Sequence, residues 1–181
     1  MQWRIVGALL TVSVLPARAA APPSGTPKSD GHHVEIQQDA DFSAAMKAAP
    51  LASDWPDNHY ARLLDLGDIT VSRDGGTTGV FRETYKLFDK NARDLAEVSL
   101  PYNSSYQSLR VLYARTYRRD GTVVSVKPAD IRQTSPYSEY LMYDDARAVG
   151  FSMPAIEDNC IIDYKYEVIT RPVLMPGQCS T

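Results

Sequence analysis

The chain has 181 residues, of which 44% are hydrophobic and 23% charged, a balance typical of one globular domain that excludes a fibre or a wholly disordered chain. Its formal net charge of −3 lacks the basic surplus that nucleic acids and anionic membrane surfaces attract, so neither is expected as a partner. Eleven tyrosines against four phenylalanines and two tryptophans favour β-strands, in which a tyrosine ring packs while its hydroxyl stays hydrated.

Residues 1–19 have the pattern of a secretory signal peptide. Arg4 gives a positive start, an apolar run covers residues 5–15, and Ala17-Arg18-Ala19 matches the A-x-A cleavage motif, with a second cleavage position after residue 21. The apolar run is shorter than the roughly 20 residues that span a bilayer. We therefore expect a mature chain without a transmembrane segment, in the periplasm or secreted.

A flexible leader and one short helix are predicted next. Residues 22–40 begin with Pro, Gly and Ser, the composition of a flexible or extended segment. Asp41 is a good N-cap for the alanine-rich stretch that stops at Pro50, so residues 41–59 are predicted to hold a short helix and a connection.

From residue 60 the hydrophobic period changes from helical to two, which predicts a β domain over residues 60–178 and a short tail over 179–181. A first hairpin is predicted around Asp74-Gly75-Gly76 and a second around Asp120-Gly121. In the second, the alternation puts four residues on one face: Val111, Tyr113, Arg115 and Tyr117.

A last hairpin is predicted to join residues 147–156 to the strand that begins at Ile161, through a turn from Glu157 to Cys160. Strands of this length and spacing, with no helical pattern between them, are typical of an antiparallel β-sandwich or open barrel. The predicted fold is therefore mainly β, with one short N-terminal helix.

Two connections, residues 99–109 and 135–147, are rich in tyrosine and serine and have two interpretations. They are loops whose rings cover sheet edges, or they form a binding surface, since rigid amphipathic rings give contact area at low entropic cost. On the second interpretation the candidate binding residues are Tyr102, Tyr106, Tyr137, Tyr140 and Tyr143.

No catalytic or metal site is predicted from the sequence. A Cys160 nucleophile needs a base, and the histidines are His32 and His33 in the leader and His59, which nothing in the sequence places beside Cys160. No zinc-type spacing and no phosphate-binding or nucleophile-elbow motif is present, so no metal or cofactor is expected. Export leaves Cys160 either as an exposed thiol or as the disulfide partner of Cys179.

Four segments occur in an order that resembles the bacterial domain DUF3857: "VSLPYNSSYQSLRVLYARTYRRDGTVVSV", "MYDDARAVGFSMPAIE", "IIDYKYEV" and "LMPGQ". The resemblance covers residues 60–178. DUF3857 commonly lies N-terminal to a transglutaminase-like domain in exported proteins, so the resemblance implies a secreted or periplasmic β-sandwich with no established catalytic residues. It also implies truncation, because relatives continue through a further strand and a transglutaminase-like domain beyond the point where this chain ends.

One departure from the family pattern lies in the turn before the last strand, where Asn159-Cys160 replaces the usual Gly-Asp. Asparagine is the best residue after glycine for a left-handed backbone position, so we expect the turn to keep its geometry.

Two functions follow as hypotheses. The first is a non-catalytic exported module that binds or positions a protein or peptide, with a transglutaminase-like domain as the partner that the resemblance implies. The second is the N-terminal part of a transglutaminase-like cysteine protease or acyltransferase whose catalytic domain lies outside this chain. A free-standing enzyme that uses Cys160 is not expected, because no base is placed beside the thiol.

Overall fold

The computed structural model describes residues 31–135 and 145–172, with side chains from Asp39 onward. Within these ranges the chain is mainly β, with two antiparallel sheets and one N-terminal helix, α1 (Gly31–Lys47). This confirms the predicted sandwich, and the sheets do not close into a barrel. Some predictions fall outside the described residues: the signal peptide, the first part of the leader, Tyr137, Tyr140, Tyr143 and Cys179.

The strands in chain order are β1 (Tyr60–Val71), β2 (Thr77–Leu87), β3 (Glu97–Asn103), β4 (Gln107–Tyr117), β5 (Val123–Ser125), β6 (Arg132–Thr134), β7 (Ala146–Ser152) and β8 (Ile161–Thr170). Sheet A has the order β1-β2-β8-β4-β5, and sheet B has the order β3-β7-β6. No helix in the described part of the chain is long and apolar enough to cross a membrane.

The first two predicted hairpins are confirmed. β1 pairs with β2 around Gly75, whose φ of +86° is a left-handed conformation that glycine adopts without strain. β4 pairs with β5 around Gly121, which has a φ of +84°. In both turns an aspartate at the position before the glycine accepts a backbone hydrogen bond, at 3.1 Å for Asp74 and 2.9 Å for Asp120.

The predicted third hairpin is wrong, although both of its strands form. β7 belongs to sheet B, where it pairs with β3 and β6, whereas β8 is the central strand of sheet A between β2 and β4. The connection between them therefore crosses from one sheet to the other. Residues 99–109 are likewise not a long loop, because β3 and β4 occupy most of the segment and only residues 104–106 form a turn.

The predicted faces of β4 are correct only in part. The pairing with β8 shifts between Val111 and Tyr113, so the strand carries a bulge at Leu112. Val111 lies opposite Tyr166 and packs on the core, whereas Tyr113 lies opposite Lys165 on the outer face of sheet A. The sequence pattern predicted Val111 and Tyr113 on the same face of β4. That prediction assumed strict alternation, which does not allow for the extra residue of a bulge.

The core lies between the two sheets. Its members from sheet A include Leu87 and Ile162, which have no exposed surface, and its members from sheet B include Val98, Leu100 and Phe151. Burial of such side chains is the main favourable term in the stability of a sandwich.

The helix α1 is longer than the predicted one, which was expected to begin after Asp41. Residues 32–49 contain neither glycine nor proline, so nothing in them stops a helix that runs through Asp41. The helix ends at Lys47, before Pro50, as expected from the restriction that a proline places on preceding residues.

Candidate functional site

Two of the five candidate tyrosines line one surface cavity. Tyr102 lies on β3 and Tyr106 in the turn to β4, and they border a cavity of about 440 Å³ together with Arg147 from β7. The side-chain amide of Gln133 donates a hydrogen bond to the hydroxyl of Tyr102, which ties this tyrosine to β6. The structure therefore brings together Tyr102 and Tyr106, while the other three candidates lie outside the described residues.

A second cavity adjoins the first along the inner face of sheet A. It has a volume of about 350 Å³ and shares Pro101 and Gln107 with the first cavity. Its walls are mostly apolar and come from both sheets: Ile69, Phe81, Leu100, Leu109, Tyr166 and Val168. We call the two cavities together the groove. The sequence did not predict this second half, because its residues have the apolar pattern expected of any β-strand.

The groove is open because sheet B has three strands and sheet A has five. Among the described residues no strand covers the inner face of β1 near its turn, and Ile69 and Val71 are 55% and 67% exposed. Two glycines make room for the Phe81 ring at this end, since a Cβ at Gly79 would lie 2.6 Å from Cε2 of Phe81 and one at Gly67 would lie 3.0 Å from Cδ1. The Phe81 ring therefore occupies the space that two side chains would fill.

Beside the groove, the Glu83 carboxylate accepts hydrogen bonds from two phenols. The distances are 2.6 Å from the Tyr85 hydroxyl and 3.0 Å from the Tyr164 hydroxyl. Burial, with the nearby Glu83 carboxylate, raises the pKa of Tyr85 and of Tyr166 to about 12. Tyr85 and Tyr166 therefore stay protonated at physiological pH and serve as hydrogen-bond donors, not as bases.

A buried ion cluster lies on the opposite, outer face of sheet A. The Arg82 guanidinium donates from Nε and Nη2 to the two carboxylate oxygens of Asp163, at 2.9 and 3.0 Å. The Thr84 hydroxyl (2.9 Å) and Arg115 Nε (3.1 Å) donate to the same carboxylate. Arg82, Thr84 and Asp163 have no exposed surface. Burial lowers the pKa of Arg82, but the hydrogen bonds and charge of Asp163 outweigh this, so the pKa is raised.

Cys160 does not have the exposed position that the sequence suggested. The turn forms as predicted, with the Cys160 N–H donating to the Glu157 carbonyl at 3.3 Å and with Asn159 left-handed at a φ of +64°. Cys160, however, has no exposed surface and belongs to the core. Burial raises the pKa of its thiol, which further disfavours the reactive thiolate. The pairing with Cys179 stays a prediction, because Cys179 lies outside the described residues.

The structure does not join Cys160 to a base. The backbone carbonyls of His59 and Cys160 accept hydrogen bonds from the N–H groups of Phe88 and Leu87, which are consecutive. The backbones of His59 and Cys160 therefore lie close together. The His59 imidazole nevertheless points to the surface, where its Nδ1 lies 2.8 Å from the Asp89 carboxylate, and no hydrogen bond to the Cys160 thiol is found within the described ranges. Among the described residues no three His, Cys, Asp or Glu side chains converge to hold a metal ion.

Comparisons with known proteins bear on the family and the fold. The family "Domain of Unknown Function with solved-structure structure (DUF3857)" matches residues 73–181. A crystal structure described as a candidate protease from Parabacteroides distasonis ATCC 8503 is similar, with a TM-score of 0.60 and 20% identity, over 65% of this chain and 24% of that one. At this identity the similarity shows the fold alone, and the chain spans about a quarter of that protein's length. The comparison with curated proteins gives no match.

Proposed function

The chain belongs to the DUF3857 family, and we propose that it is a non-catalytic exported module that binds an extended segment of a protein or peptide in the groove. The observation that carries the proposal is the groove itself: two adjoining cavities, of about 350 and 440 Å³, that combine apolar walls with phenol and amide groups. Recognition sites for peptides and small ligands have this composition, with apolar walls for contact area and few polar groups for orientation.

The apolar half of the groove suits side chains that project from an extended main chain. Phe81 and Tyr166 stack with ring centroids 5.3 Å apart and form a flat floor beside the exposed Ile69. Alternate side chains of an extended segment point to one side, so residues two apart would enter this half together.

The polar half of the groove suits the main chain of the same segment. Tyr102 and Tyr106 present rigid rings with hydroxyls, and Asn103 lies between them in the chain. Gln107 lines both halves, although its side-chain oxygen already accepts from the Asn103 N–H at 2.9 Å. Tyrosine gives large contact area with only two rotatable bonds, which keeps the entropic cost of binding low.

The absence of catalysis is supported by the described residues near the groove. The tyrosines beside Glu83 have a raised pKa, and Cys160 is buried in the core without a hydrogen bond to a base within the described chain. A covalent mechanism needs an accessible nucleophile next to a base, and Cys160, buried in the core, meets neither condition within the described residues. The signal-peptide pattern of residues 1–19 supports a periplasmic or secreted location, and the family resemblance supports a transglutaminase-like domain as a partner.

A second function stays open as a proposal, namely that this chain is the N-terminal part of a transglutaminase-like cysteine protease or acyltransferase. The similar crystal structure is described as a candidate protease, and the chain covers 24% of it. The downstream gene sequence separates the two: a Cys/His/Asp domain, in frame or after a frameshift, supports the second function, and unrelated sequence contradicts it.

Selection of peptides from a displayed random library tests the first function. We expect the mature chain to enrich peptides with apolar residues two positions apart, and Tyr106→Ala to weaken their binding about tenfold, as for the loss of a central aromatic contact. Tyr60→Ala is the matched control, because Tyr60 is 45% exposed, compared with 36% for Tyr106, and does not line the groove. Failure to enrich any peptide, or equal losses in the two variants, would contradict the proposal.

A further inference from the structure

The outer face of sheet A carries three cationic side chains that are shielded from water and a fourth, Arg115, that is partly exposed. Arg82 and Lys86 of β2 and Lys165 of β8 are at most 9% exposed, and Arg115 of β4 lies in the same cluster. We call these four residues the cationic face. Asp163 provides one negative charge among them, so the sheet alone leaves this face strongly positive.

The helix α1 supplies the missing negative charge. Nη1 of Arg82 donates to the Asp39 carboxylate at 3.1 Å, although the Asp39 side chain itself is 66% exposed. The helix sequence has three acidic residues, Glu35, Asp39 and Asp41, against one lysine, Lys47. The helix and the face beneath it are therefore complementary in charge, a property that guides docking and selects partners.

The second contact of α1 is aromatic. The guanidinium carbon of Arg82 lies 4.2 Å from the centre of the Phe42 ring, and that of Arg115 lies 5.9 Å from it. The same ring lies 5.5 Å from the Tyr117 ring, so Phe42 sits among two cations and an aromatic side chain. Cation–π contacts of this kind gain strength when water is excluded from them.

The described part of α1 contacts β1 and stays partly exposed. None of the side chains from Asp39 to Lys47 is buried, and alanines supply much of the apolar surface. A helix of this length depends on tertiary packing for its stability. Its described side chains include the Phe42 ring, the Asp39 ion pair and a further interaction of Asp41, and every one of them stays partly exposed. One further polar atom beneath the helix, the Tyr113 hydroxyl, is buried with no hydrogen-bond partner within the described residues.

We propose that the cationic face is a binding site for an acidic helix of a partner protein that carries a carboxylate and an aromatic ring three residues apart, and that α1 is its intramolecular occupant. Asp39 and Phe42 show the spacing that the face accepts. A partner helix of the same chemistry binds by exchange, taking the place of α1. This site lies on the opposite side of sheet A from the groove, so it stands independently of the function proposed there.

Exchange is tested with a fluorescent peptide of residues 31–47 added to the full chain. In the wild-type chain α1 competes at an effective concentration of the order of 1 mM, so binding of the added peptide is weak. Phe42→Ala in the chain weakens this competitor, and we expect it to bind the peptide at least about tenfold more tightly than the wild type. The matched control is Ser43→Ala, which changes an exposed neighbour on the same helix.

Three outcomes would overturn the proposal. The first is a folded Phe42→Ala chain that binds the peptide no better than wild type, or that binds equally well a peptide lacking its own aromatic ring. The second is a concentration-dependent dimer of the wild-type chain, which would assign the face to α1 of a second copy. The third comes from hydrogen exchange on the wild-type chain: we expect α1 amides to exchange at least about a hundredfold faster than those of β8, and equal protection would make α1 a fixed part of the fold.

Discussion

Replacement of Asp163 by alanine is expected to lower the free energy of unfolding by about 3–5 kcal/mol, the typical cost of removing one partner from a buried ion pair. The Asp163 carboxylate accepts from Arg82, Thr84 and Arg115, and Arg82 has no exposed surface. Without Asp163, the Arg82 guanidinium stays in the protein interior without the carboxylate that accepts from both its Nε and its Nη2, while the Thr84 hydroxyl loses its acceptor. Urea unfolding followed by circular dichroism measures the change.

Glu167→Ala is the matched control for this prediction. Glu167 lies on the same strand, four residues further; it is 19% exposed, and its partner Arg110, at a distance of 3.1 Å, is 70% exposed, so the pair is open to solvent on one side. Exposed ion pairs contribute little, so we expect a loss below about 1 kcal/mol. Equal losses for Asp163→Ala and Glu167→Ala would mean that the buried cluster does not stabilise sheet A more than a surface pair does.

A valine at Gly79 is expected to weaken binding in the groove strongly while the sandwich stays folded. Even a Cβ at this position would lie 2.6 Å from the Phe81 ring, so the ring has to turn out of its place between Gly67 and Gly79. The displaced ring and the new side chain fill the apolar half of the groove. We expect at least about a thirtyfold loss of affinity for the selected peptides, the size of a typical hot-spot effect, measured by fluorescence anisotropy.

The control for this substitution is Gly150→Ala on β7. A Cβ there would meet only the Val98 carbonyl oxygen, at 3.7 Å, which is an ordinary contact, and Gly150 does not line the groove. We expect this variant to keep its affinity for the peptides. Unchanged binding by Gly79→Val would show that the peptides bind elsewhere on the domain.

Local features of the fold followed from the sequence because they depend on residues close together in the chain. Gly75 and Gly121 mark the two hairpin turns, and the left-handed Asn159 replaces a glycine as expected from its backbone preference. The alternation of apolar residues located most strands, and it failed at Leu112, where a bulge changes the face of the residues on either side.

Assignment of strands to sheets did not follow from the sequence, since it depends on contacts between distant residues. β7 and β8 are consecutive and joined by a predicted turn, yet they lie in different sheets. Cys160 follows a polar turn but points into the core, because it lies two residues before Ile162 and so shares its core-facing side. The local sequence predicts the turn, but it does not show that Cys160 packs into the core.

The candidate site was predicted in part for the same reason. Tyr102 and Tyr106 stood out by composition, and they line the polar half of the groove. The apolar half, with Phe81 and Tyr166, forms only when β2 and β8 pair beneath β3, a long-range arrangement. The burial of Arg82 also requires α1 to lie on sheet A, and no sequence pattern predicted this packing.

Photo-crosslinking tests the central proposal, that the groove binds an extended protein segment, most directly. The photoreactive amino acid p-benzoylphenylalanine is placed at Tyr102, inside the groove, or at Val123, which is 47% exposed on β5 and outside it. We expect the selected peptides to crosslink from position 102 and not from position 123, with the attachment confirmed by mass spectrometry. Equal crosslinking from the two positions, or crosslinking from position 123 alone, would contradict the assignment of the groove as the binding site.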